Sequence, residues 1–394
     1  MRRSFRTGAV VWLVCAVVGA GCAADPETGP RSAGYAGTTT AVDFVGDLKR
    51  FISRARDDYG APGAFVLLSR DGFTGFAASG TATTEGGPIT ADSTFRIASI
   101  TKPIVAAVVL SQVDAGTLRL DDPLSSHLPG VVSHDDEITL RMLLDHTSGI
   151  FDPQDGDPIA DIPRLTDPAL RREAENVLDR YLAGEKVVAS DRIVVAIAET
   201  HPGYFEPGTD IHYSNTNYQL LGMVLAGTTG EPLADLIDRT VAGPLGLVRT
   251  SLTPPHLSTP DIHGYGTDVD DGALVDLTDD LVTFGNGASG GVVSTPSELL
   301  AIIRAIVTGD LVGEELTREM QAGSPQSGST YGLGLAGYGT SCGLFYGHEG
   351  GVNGMASIAM SSTDGADAVV IGFNLRSGED PGLPGLADDV LCGS

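Results

Sequence analysis

Four consecutive residues, Ser99-Ile100-Thr101-Lys102, have types and spacing suited to nucleophilic catalysis. On a helix, positions three apart lie on one face, so the Lys102 amine can reach the Ser99 hydroxyl. A serine becomes a useful nucleophile only beside a base, and a lysine can serve as that base once burial lowers its pKa. The chain has only two other lysines, Lys49 and Lys186, and Lys102 begins an apolar helix. The alternative is an ordinary solvated helix residue.

Two further motifs could complete such a site. Tyr213-Ser214-Asn215 precedes an apolar helical pattern. A tyrosine between a lysine and a serine could relay a proton, and the asparagine amide could hold a substrate carbonyl. His348-Glu349-Gly350 ends a predicted strand, where the glycine would let a substrate backbone approach closely.

The third motif begins like the zinc motif H-E-x-x-H, but Val352 stands where the second histidine would be. The remaining histidines show no pair spaced for one metal ion. The sequence therefore predicts no metal and no other cofactor.

These three motifs, in this order, resemble the serine β-lactamase and D-alanyl-D-alanine carboxypeptidase family. The nearest branch is the class C-like one, which includes family VIII-type esterases, and the resemblance covers residues 42–375. The tyrosine motif and the histidine of the third motif resemble the carboxypeptidase and esterase members, whereas a lysine at that place suits the lactamases. Supporting stretches are Phe95-Arg96-Ile97, residues 143–150, Pro244-Leu245-Gly246-Leu247, residues 290–295 and residues 331–335.

The resemblance implies a role for each matching residue. Ser99 would be the acylated nucleophile, Lys102 would take its proton, and Tyr213 would shuttle protons to the leaving group and from water. The backbone N–H groups of Ser99 and Gly351 would form the oxyanion hole. The residues implied to bind substrate are Asn215, His348, Glu349, Gly350 and Gly351.

Glu349 departs from the family pattern, in which a small residue often stands close to the free carboxylate of the substrate. If Glu349 points into the cleft, its charge would repel penicillins and D-alanyl-D-alanine termini, and a neutral ester or amide would become the better substrate. If it points to a backbone amide or to solvent, that argument lapses.

The resemblance implies a serine hydrolase that acts on amide or ester carbonyls through an acyl-enzyme. The first expectation is a D-alanyl-D-alanine carboxypeptidase-like enzyme of the bacterial cell envelope. The alternatives are a carboxylesterase, amidase or β-lactamase with the same machinery, and an inert penicillin- or peptide-binding protein. Peptides or small amides and esters would be its partners, with β-lactams as further candidates. A formal net charge of −27 argues against nucleic acid.

The N-terminus has the pattern of an export signal. Arginines precede an apolar run at residues 8–21, which is shorter than the roughly 20 residues of a transmembrane helix. Residues 1–24 are therefore predicted to be a signal peptide. Gly19-Ala20-Gly21-Cys22 resembles a lipoprotein box, which predicts cleavage before Cys22 and its lipidation; the alternative is ordinary cleavage near Ala24. The protein would then lie outside the cell or on the outer face of its membrane, with a lipid anchor as its only membrane contact.

Export also changes the interpretation of the cysteines. Cys342 and Cys392 are the two that lie beyond the signal region. Two thiols in an oxidising compartment indicate one disulfide. The alternative is two buried free thiols.

The pattern of elements predicts how these residues are positioned. Residues 25–41 are polar and form a predicted linker, followed by a catalytic domain over 42–394. Helices are predicted at 42–59, 99–116 and 384–392. Two more are predicted, one from Tyr213 to Gly230 and one that follows Thr295 and ends at Thr308. Strands are predicted at 64–69, 73–80, 331–336, 343–348, 355–362 and 368–375.

Helix and strands at both ends of the chain predict an α/β fold in which the two ends share one antiparallel sheet. We expect a β-lactamase/transpeptidase-like architecture, with an antiparallel sheet flanked by helices plus a mostly helical lobe. The sheet lobe would comprise residues 42–117 and 290–394, and the helical lobe residues 118–289. The site would lie between the two lobes.

Overall fold

The structure is a computed structural model that describes residues 41–185, 187–252, 259–267, 272–278, 287–324, 329–375 and 381–393. The predicted signal peptide, Cys22 and nearly all of the predicted linker lie outside the described residues.

The helices and strands of the described chain are numbered in chain order. The helices are α1 (Ala41–Tyr59), α2 (Thr101–Asp114), α3 (Leu140–Leu144), α4 (Pro158–Asp161), α5 (Pro168–Leu182), α6 (Asp191–Ala198), α7 (Asn215–Thr229), α8 (Leu233–Ile237), α9 (Pro296–Thr308), α10 (Glu314–Gln321) and α11 (Leu383–Cys392). The strands are β1 (Gly63–Arg70), β2 (Phe73–Gly80), β3 (Phe95–Arg96), β4 (Ser251–Leu252), β5 (Tyr265–Thr267), β6 (Leu274–Asp276), β7 (Val292–Ser294), β8 (Ala336–Thr340), β9 (Gly343–Val352), β10 (Met355–Ser362) and β11 (Ala368–Phe373).

A six-stranded antiparallel sheet joins the two ends of the chain, as the element pattern predicts. Its order is β2-β1-β11-β10-β9-β8. The register pairs Ala64 with Phe373 on β1 and β11, and Ser357 with Gly350 on β10 and β9. Strand β9, which carries the third motif, therefore lies near one edge of the sheet, with only β8 beyond it.

Each face of this sheet packs against helices, because alternate residues of its central strands are apolar on both faces. One face, with Val66 and Ile371, packs against α1 and α11. The other face, with Phe65 and Val370, packs against α9 and joins the main core around α2. A motif residue on β9 can reach Ser99 only if its side chain lies on the face that packs against α2.

Helix α2 is the central helix of the molecule. Every residue from Thr101 to Leu110 is buried, so it has no polar face. A helix that is apolar all round is a core helix, and α2 accordingly contacts α7, α8 and α9. Lys102 lies in its first turn, so the fold places this lysine in the protein interior.

The C-terminal end of α7 and both ends of α9 have the residues that commonly cap helices. Gly230 and Gly309 adopt left-handed backbone conformations at the ends of α7 and α9. Thr295 caps α9 by accepting a hydrogen bond from the Glu298 N–H at 3.1 Å. The Glu298 carboxylate accepts from Val248 and Arg249 N–H groups and so ties the preceding loop to this helix start.

The predicted strand at 331–336 is wrong. The paired strand, β8, begins only at Ala336, and Tyr331 makes one isolated bridge to that residue. The chain turns at Gly334, whose φ is +81° and whose Cα faces Ala106 of α2 and the Tyr218 hydroxyl. The turn at Gly334 therefore packs this segment against α2, so it does not continue as an extended strand.

No single helix among the described residues is long and apolar enough to cross a membrane. Taken together, α7 and the stretch Leu233–Ala242 meet that test by length and composition, but the pair is bent by 88°.

Candidate active site

Ser99 lies in a 3-10 turn, Ala98–Ile100, that leads directly into α2. Its side chain is half-buried. Ala98, just before it, has a φ of +49°, a left-handed conformation that is strained for any residue with a Cβ. The turn and the strained residue together hold Ser99 at the start of the buried helix.

The Lys102 amine has three hydrogen-bond partners. Its Nζ lies 3.1 Å from the Ser99 Oγ and 2.7 Å from the Asn215 Oδ1. The third partner is the backbone carbonyl of Ser289, also at 2.7 Å. The side chain is fully buried, and burial lowers its pKa to about 7, against the opposing effect of the Asp152 carboxylate.

This geometry prepares the amine to act as a base. A neutral amine has two hydrogens and one lone pair. The Asn215 and Ser289 oxygens can only accept, so they take both hydrogens. The lone pair is then directed at the Ser99 hydroxyl, whose proton it can remove. With its pKa lowered to about 7, the amine has a neutral form available near neutral pH.

Tyr213 is adjacent to both of these groups. Its ring centroid lies 4.7 Å from the Lys102 Nζ. Burial raises the pKa of Tyr213 well above its usual value, and a hydrogen bond to Ser99 only partly opposes that effect. The phenol therefore stays protonated, and it can pass a proton through its hydroxyl between Ser99 and a leaving group.

Both ends of the Asn215 side chain have partners within the protein. Its Oδ1 accepts from Lys102, and its Nδ2 donates to the Asp152 Oδ2 at 2.9 Å. Asn215 begins α7, and its backbone N–H donates to the same Asp152 oxygen at 2.8 Å. The predicted contact with a substrate amide would have to displace one of these bonds, so that role stays a prediction.

His348 faces the same side of the sheet as the nucleophile. Its Nδ1 contacts the Glu349 carbonyl, and a carbonyl only accepts, so Nδ1 carries the proton. Its Nε2 accepts from the Tyr331 hydroxyl at 3.1 Å. Burial, together with the charge of Lys102, lowers the His348 pKa to about 3. The ring is therefore neutral at ordinary pH.

Glu349 leaves β9 on the opposite face. It is paired with Ile358, which belongs to the core under α1 and α11. The half-buried carboxylate accepts from the Tyr338 hydroxyl at 3.4 Å. It is nevertheless close enough to the cleft for its charge to raise the pKa of Tyr213. The Glu349 side chain thus points away from the cleft, toward Tyr338, and does not line the site.

The two glycines of the third motif lie where β9 passes beside the turn that carries Ser99. A Cβ at Gly350 would collide with the Ile97 carbonyl oxygen and lie 2.8 Å from the Ser357 Oγ. The Glu349 N–H is directed at the Tyr338 oxygen, on the β8 side of the strand. N–H directions alternate along a strand, so residues two positions apart point the same way. The Gly351 N–H therefore also points to the β8 edge, beyond Gly347, the last residue that pairs with β8. An oxyanion hole built from Ser99 and Gly351 is compatible with this arrangement.

Four buried or half-buried groups complete the site and were not assigned roles from the sequence: His146, Asp152, Ser289 and Tyr331. The His146 ring centroid is 4.3 Å from that of Tyr213 and 5.0 Å from that of Tyr331. His146 and Tyr331 belong to stretches that supported the family resemblance, so the sequence could have indicated them as site residues. For Asp152 the sequence offers only an aspartate before a proline, which indicates a turn but not a place in the site.

One group of side chains in the described residues could hold a metal ion. His134, Glu137 and Glu206 bring their ligand atoms within 4.8 Å of one another, and all three are exposed. Exposed groups of this kind are common without an ion, and none of the three contacts the motif residues through the hydrogen bonds described above.

Cys342 and Cys392 are joined by a disulfide, with an S–S distance of 2.05 Å and a Cα–Cα distance of 5.4 Å. It links the turn between β8 and β9 to α11. The bond therefore ties the C-terminal helix to the hairpin whose far end carries His348.

A serine at the start of a buried helix, a lysine one turn later and a tyrosine beside both are the groups of a serine hydrolase site in which the lysine can act as the base. Comparison with known proteins agrees with this class. A sequence model of the Beta-lactamase family matches residues 48–386, and the chain belongs to that family.

Among its relatives is the D-alanyl-D-alanine-carboxypeptidase/endopeptidase AmpH of Escherichia coli, 29% identical over 56% of this chain and 50% of that protein. Esterase EstB of Burkholderia gladioli is 34% identical over 52% of this chain and 51% of the esterase. The chain thus spans about half the length of these curated relatives. A D-stereospecific amidohydrolase from Streptomyces has a similar structure, with a TM-score of 0.72 and 28% identity over 89% of this chain and 99% of that one.

Proposed function

We propose that this protein hydrolyses amides or esters that carry no free carboxylate beside the scissile bond, through an acyl-enzyme on Ser99. The observation that carries this choice is the neutral ring of His348, which offers a substrate carboxylate no cation at the third motif. The charge of Glu349 adds to this effect from the far face of the sheet, because it is near enough to raise the pKa of Tyr213. The same site holds the complete Ser99–Lys102 pair that acylation needs.

The geometry supports a two-step reaction. Lys102 removes the Ser99 proton as the Oγ attacks the carbonyl carbon, and the negative oxygen that forms is stabilised by the Ser99 and Gly351 N–H groups. The tetrahedral intermediate collapses, the bond to the leaving group breaks, and a proton reaches that group from Lys102 through the Tyr213 hydroxyl. Water then attacks the acyl-enzyme by the reverse path, which releases the acid and restores the Ser99 hydroxyl.

Electrostatics favour a neutral or cationic leaving group. The charged side chains that raise the Tyr213 pKa are Asp152 and Glu349, which are both acidic. The cation beside them, Lys102, is buried and has all its hydrogen-bonding capacity occupied. Among the described site residues, a substrate carboxylate would therefore find two acidic side chains and a lysine whose hydrogens are already taken, whereas an uncharged amide or ester needs no cationic donor.

A second candidate is a D-alanyl-D-alanine carboxypeptidase of the bacterial cell envelope. Its support is the motif Tyr213-Ser214-Asn215, which resembles the carboxypeptidase members, and the similarity to AmpH. This candidate requires a terminal carboxylate to bind despite Glu349. Acylation by penicillins, which also carry a carboxylate, would support it.

A matched pair of substrates separates the two candidates. One peptide ends in D-alanyl-D-alanine with a free carboxylate, and its partner ends in the corresponding amide. We expect kcat/KM to be at least about tenfold higher for the amide, since two like charges near a protein surface repel by about 1–2 kcal/mol or more. We expect Glu349→Gln to reduce that ratio and Ser99→Ala to abolish both activities. A preference for the free carboxylate would instead favour the carboxypeptidase.

We also propose that the protein acts outside the cytoplasm, released or anchored through Cys22. Support comes from the apolar run at residues 8–21 and from the disulfide, because such bonds persist in oxidising compartments. Fractionation of cells that express the full chain and its Cys22→Ser variant tests this. A lipoprotein would move from the membrane fraction to the soluble one, and an unchanged membrane fraction would argue against lipidation.

A further inference from the structure

Asp152 is a buried carboxylate that lies one side chain away from the lysine base. It is 4% exposed and begins the 3-10 turn Pro153–Asp155, whose Gln154 N–H donates to the Asp152 Oδ1 at 2.9 Å. We infer that Asp152 is a positioning residue that acts through Asn215 to hold the Lys102 amine with its lone pair directed at Ser99. This inference rests on the proposed acyl-enzyme chemistry, and it assigns Asn215 a role within the machinery.

The inference begins with the hydrogen bonds between Asp152 and Asn215. The Asp152 Oδ2 accepts from the Asn215 backbone N–H at 2.8 Å and from its Nδ2 at 2.9 Å. The Asn215 Oδ1 then accepts from the Lys102 Nζ at 2.7 Å. All three side chains are at least nine-tenths buried, so water does not readily replace these partners.

The chain of bonds fixes the orientation of the amide. The two ends of an asparagine side chain have nearly the same shape, and their partners decide which way it points. Burial raises the pKa of Asp152, but both of its oxygens accept from N–H groups, of Gln154 and of Asn215, which favours the ionised form. The carboxylate therefore holds the NH2 end of Asn215 and leaves the oxygen facing Lys102. With that carboxylate replaced, the amide can turn its NH2 toward the amine, and two donors would then face each other.

The orientation of Asn215 decides where the Lys102 lone pair lies. Two fixed acceptors, Asn215 and Ser289, take the two hydrogens of the neutral amine, so Ser99 faces the lone pair. A turned amide removes one acceptor, and the amine then has a hydrogen free to donate to Ser99. The serine would lose its base, although Lys102 and Ser99 would remain close together.

The other groups around Lys102 do not substitute for this carboxylate. From α7 and the residues before it, Tyr213 and Tyr218 present their ring faces at 4.7 and 5.4 Å. Burial lowers the pKa of His146 and that of His348, from the loop after α3 and from β9, so both rings are neutral. The Asp152 carboxylate raises the Lys102 pKa against the larger effect of burial.

Two effects of Asp152→Asn follow. The rate of Ser99 attack falls, because the amide of Asn215 is no longer oriented. The Lys102 pKa falls as well, because a nearby negative charge is removed, so the acid limb of the pH profile moves to lower pH. A purely structural role of Asp152 as a turn cap would lower the amount of folded protein and leave the limb in place.

The experiment follows labelling of Ser99 by a fluorophosphonate probe from pH 5 to 9, read as intact-protein mass. The Ser99 oxygen forms a bond to phosphorus, fluoride leaves, and Lys102 takes the hydroxyl proton, so the reaction needs no substrate recognition. Asp155→Asn is the matched control, because Asp155 lies on the same turn and its carboxylate accepts from the Tyr204 hydroxyl, whereas the Asp152 carboxylate accepts from Asn215.

We expect Asp152→Asn to label at least about tenfold more slowly at its plateau, with its limb lowered by about one pH unit or more. We expect Asp155→Asn to leave the limb within a few tenths of a unit of the wild type. An unshifted limb in folded Asp152→Asn overturns the inference. If that variant does not fold, Asp152→Glu serves in its place. It keeps the charge but moves the carboxylate relative to Asn215, so slower plateau labelling with a retained limb supports the inference, and a plateau rate equal to that of the wild type overturns it.

The same assay separates this inference from the proposed function. Labelled wild type that hydrolyses no amide or ester would refute the proposed function and leave the Asp152 comparison valid. A wild type that is folded and not labelled at any pH would overturn both.

Discussion

Replacement of Gly350 by alanine tests whether the close approach of β9 to the nucleophile turn is needed for activity. The added Cβ would lie 2.8 Å from the Ser357 Oγ and 3.1 Å from the Ile100 Cγ1, and closer still to the Ile97 carbonyl oxygen. A carbon and a carbonyl oxygen normally stay about 3.3 Å apart. The backbone oxygen has no rotamer to escape into, so β9 must move from the turn by about 1 Å.

A displacement of that size has a large effect on catalysis and a smaller one on stability. Misplacement by about 1 Å lowers rates about 100-fold, equivalent to about 2.7 kcal/mol of transition-state stabilisation. Overpacking costs about 1–3 kcal/mol of folding free energy. We therefore expect Gly350→Ala to remain folded and to lose about 100-fold in kcat/KM.

Hydrolysis of an activated p-nitrophenyl ester and thermal unfolding would be measured together on Gly350→Ala and a control. Gly339→Ala is that control: Gly339 lies on neighbouring β8, and a Cβ there meets nothing within 4 Å. It should retain both activity and melting temperature. A folded Gly350→Ala variant with activity within threefold of the wild type would refute the role given to this contact.

Three further outcomes follow from the structure. Since burial lowers the Lys102 pKa to about 7, kcat/KM should fall tenfold per unit below that pH and level off above it; a profile that is flat from pH 5 to 9 would contradict a lysine base. The paired replacement Cys342→Ser with Cys392→Ser should cost about 4 kcal/mol in urea unfolding, because the bond closes a separation of 50 residues; no change would point to structure retained in the unfolded chain. Burial raises the pKa of Asp191 from 3.8 to about 6, so the folded protein binds this proton more tightly than the unfolded chain does. The free energy of unfolding therefore declines as the pH rises from about 4 to about 6. Asp191→Asn should therefore gain about 1–2 kcal/mol at pH 7 and nothing at pH 4, and an equal effect at both would exclude titration as the cause.

The parts of the site that sequence could predict are those defined by local spacing. Ser99 and Lys102 meet because they are three positions apart at a helix start, and the motif of Tyr213 precedes a recognisable apolar helix. The ends of the sheet were predictable for a similar reason: alternating and continuous apolar runs at both ends of the chain indicate strands that share a core.

The parts that could not be predicted depend on contacts between distant segments. Nothing in its own neighbourhood shows that Asp152 accepts from Asn215, or that the Ser289 carbonyl accepts from Lys102. The side of the strand taken by Glu349 depended on its register, which the pairing with Ile358 fixes. The strand predicted at 331–336 failed because Gly334 serves to bring the chain close to α2, which a period-two pattern does not reveal.

The order of the sheet also determines when activity can begin. Strand β9 is connected to the N-terminal strands only through β10 and β11, and the pairing of Ala64 with Phe373 joins residues about 300 positions apart. Such long-range pairing is slow, because the closure of a long loop precedes the contacts that reward it. A nascent chain that ends before β9 has the nucleophile but lacks the strand beside it. We therefore expect Ser99 to become reactive only after the final three strands have joined the sheet.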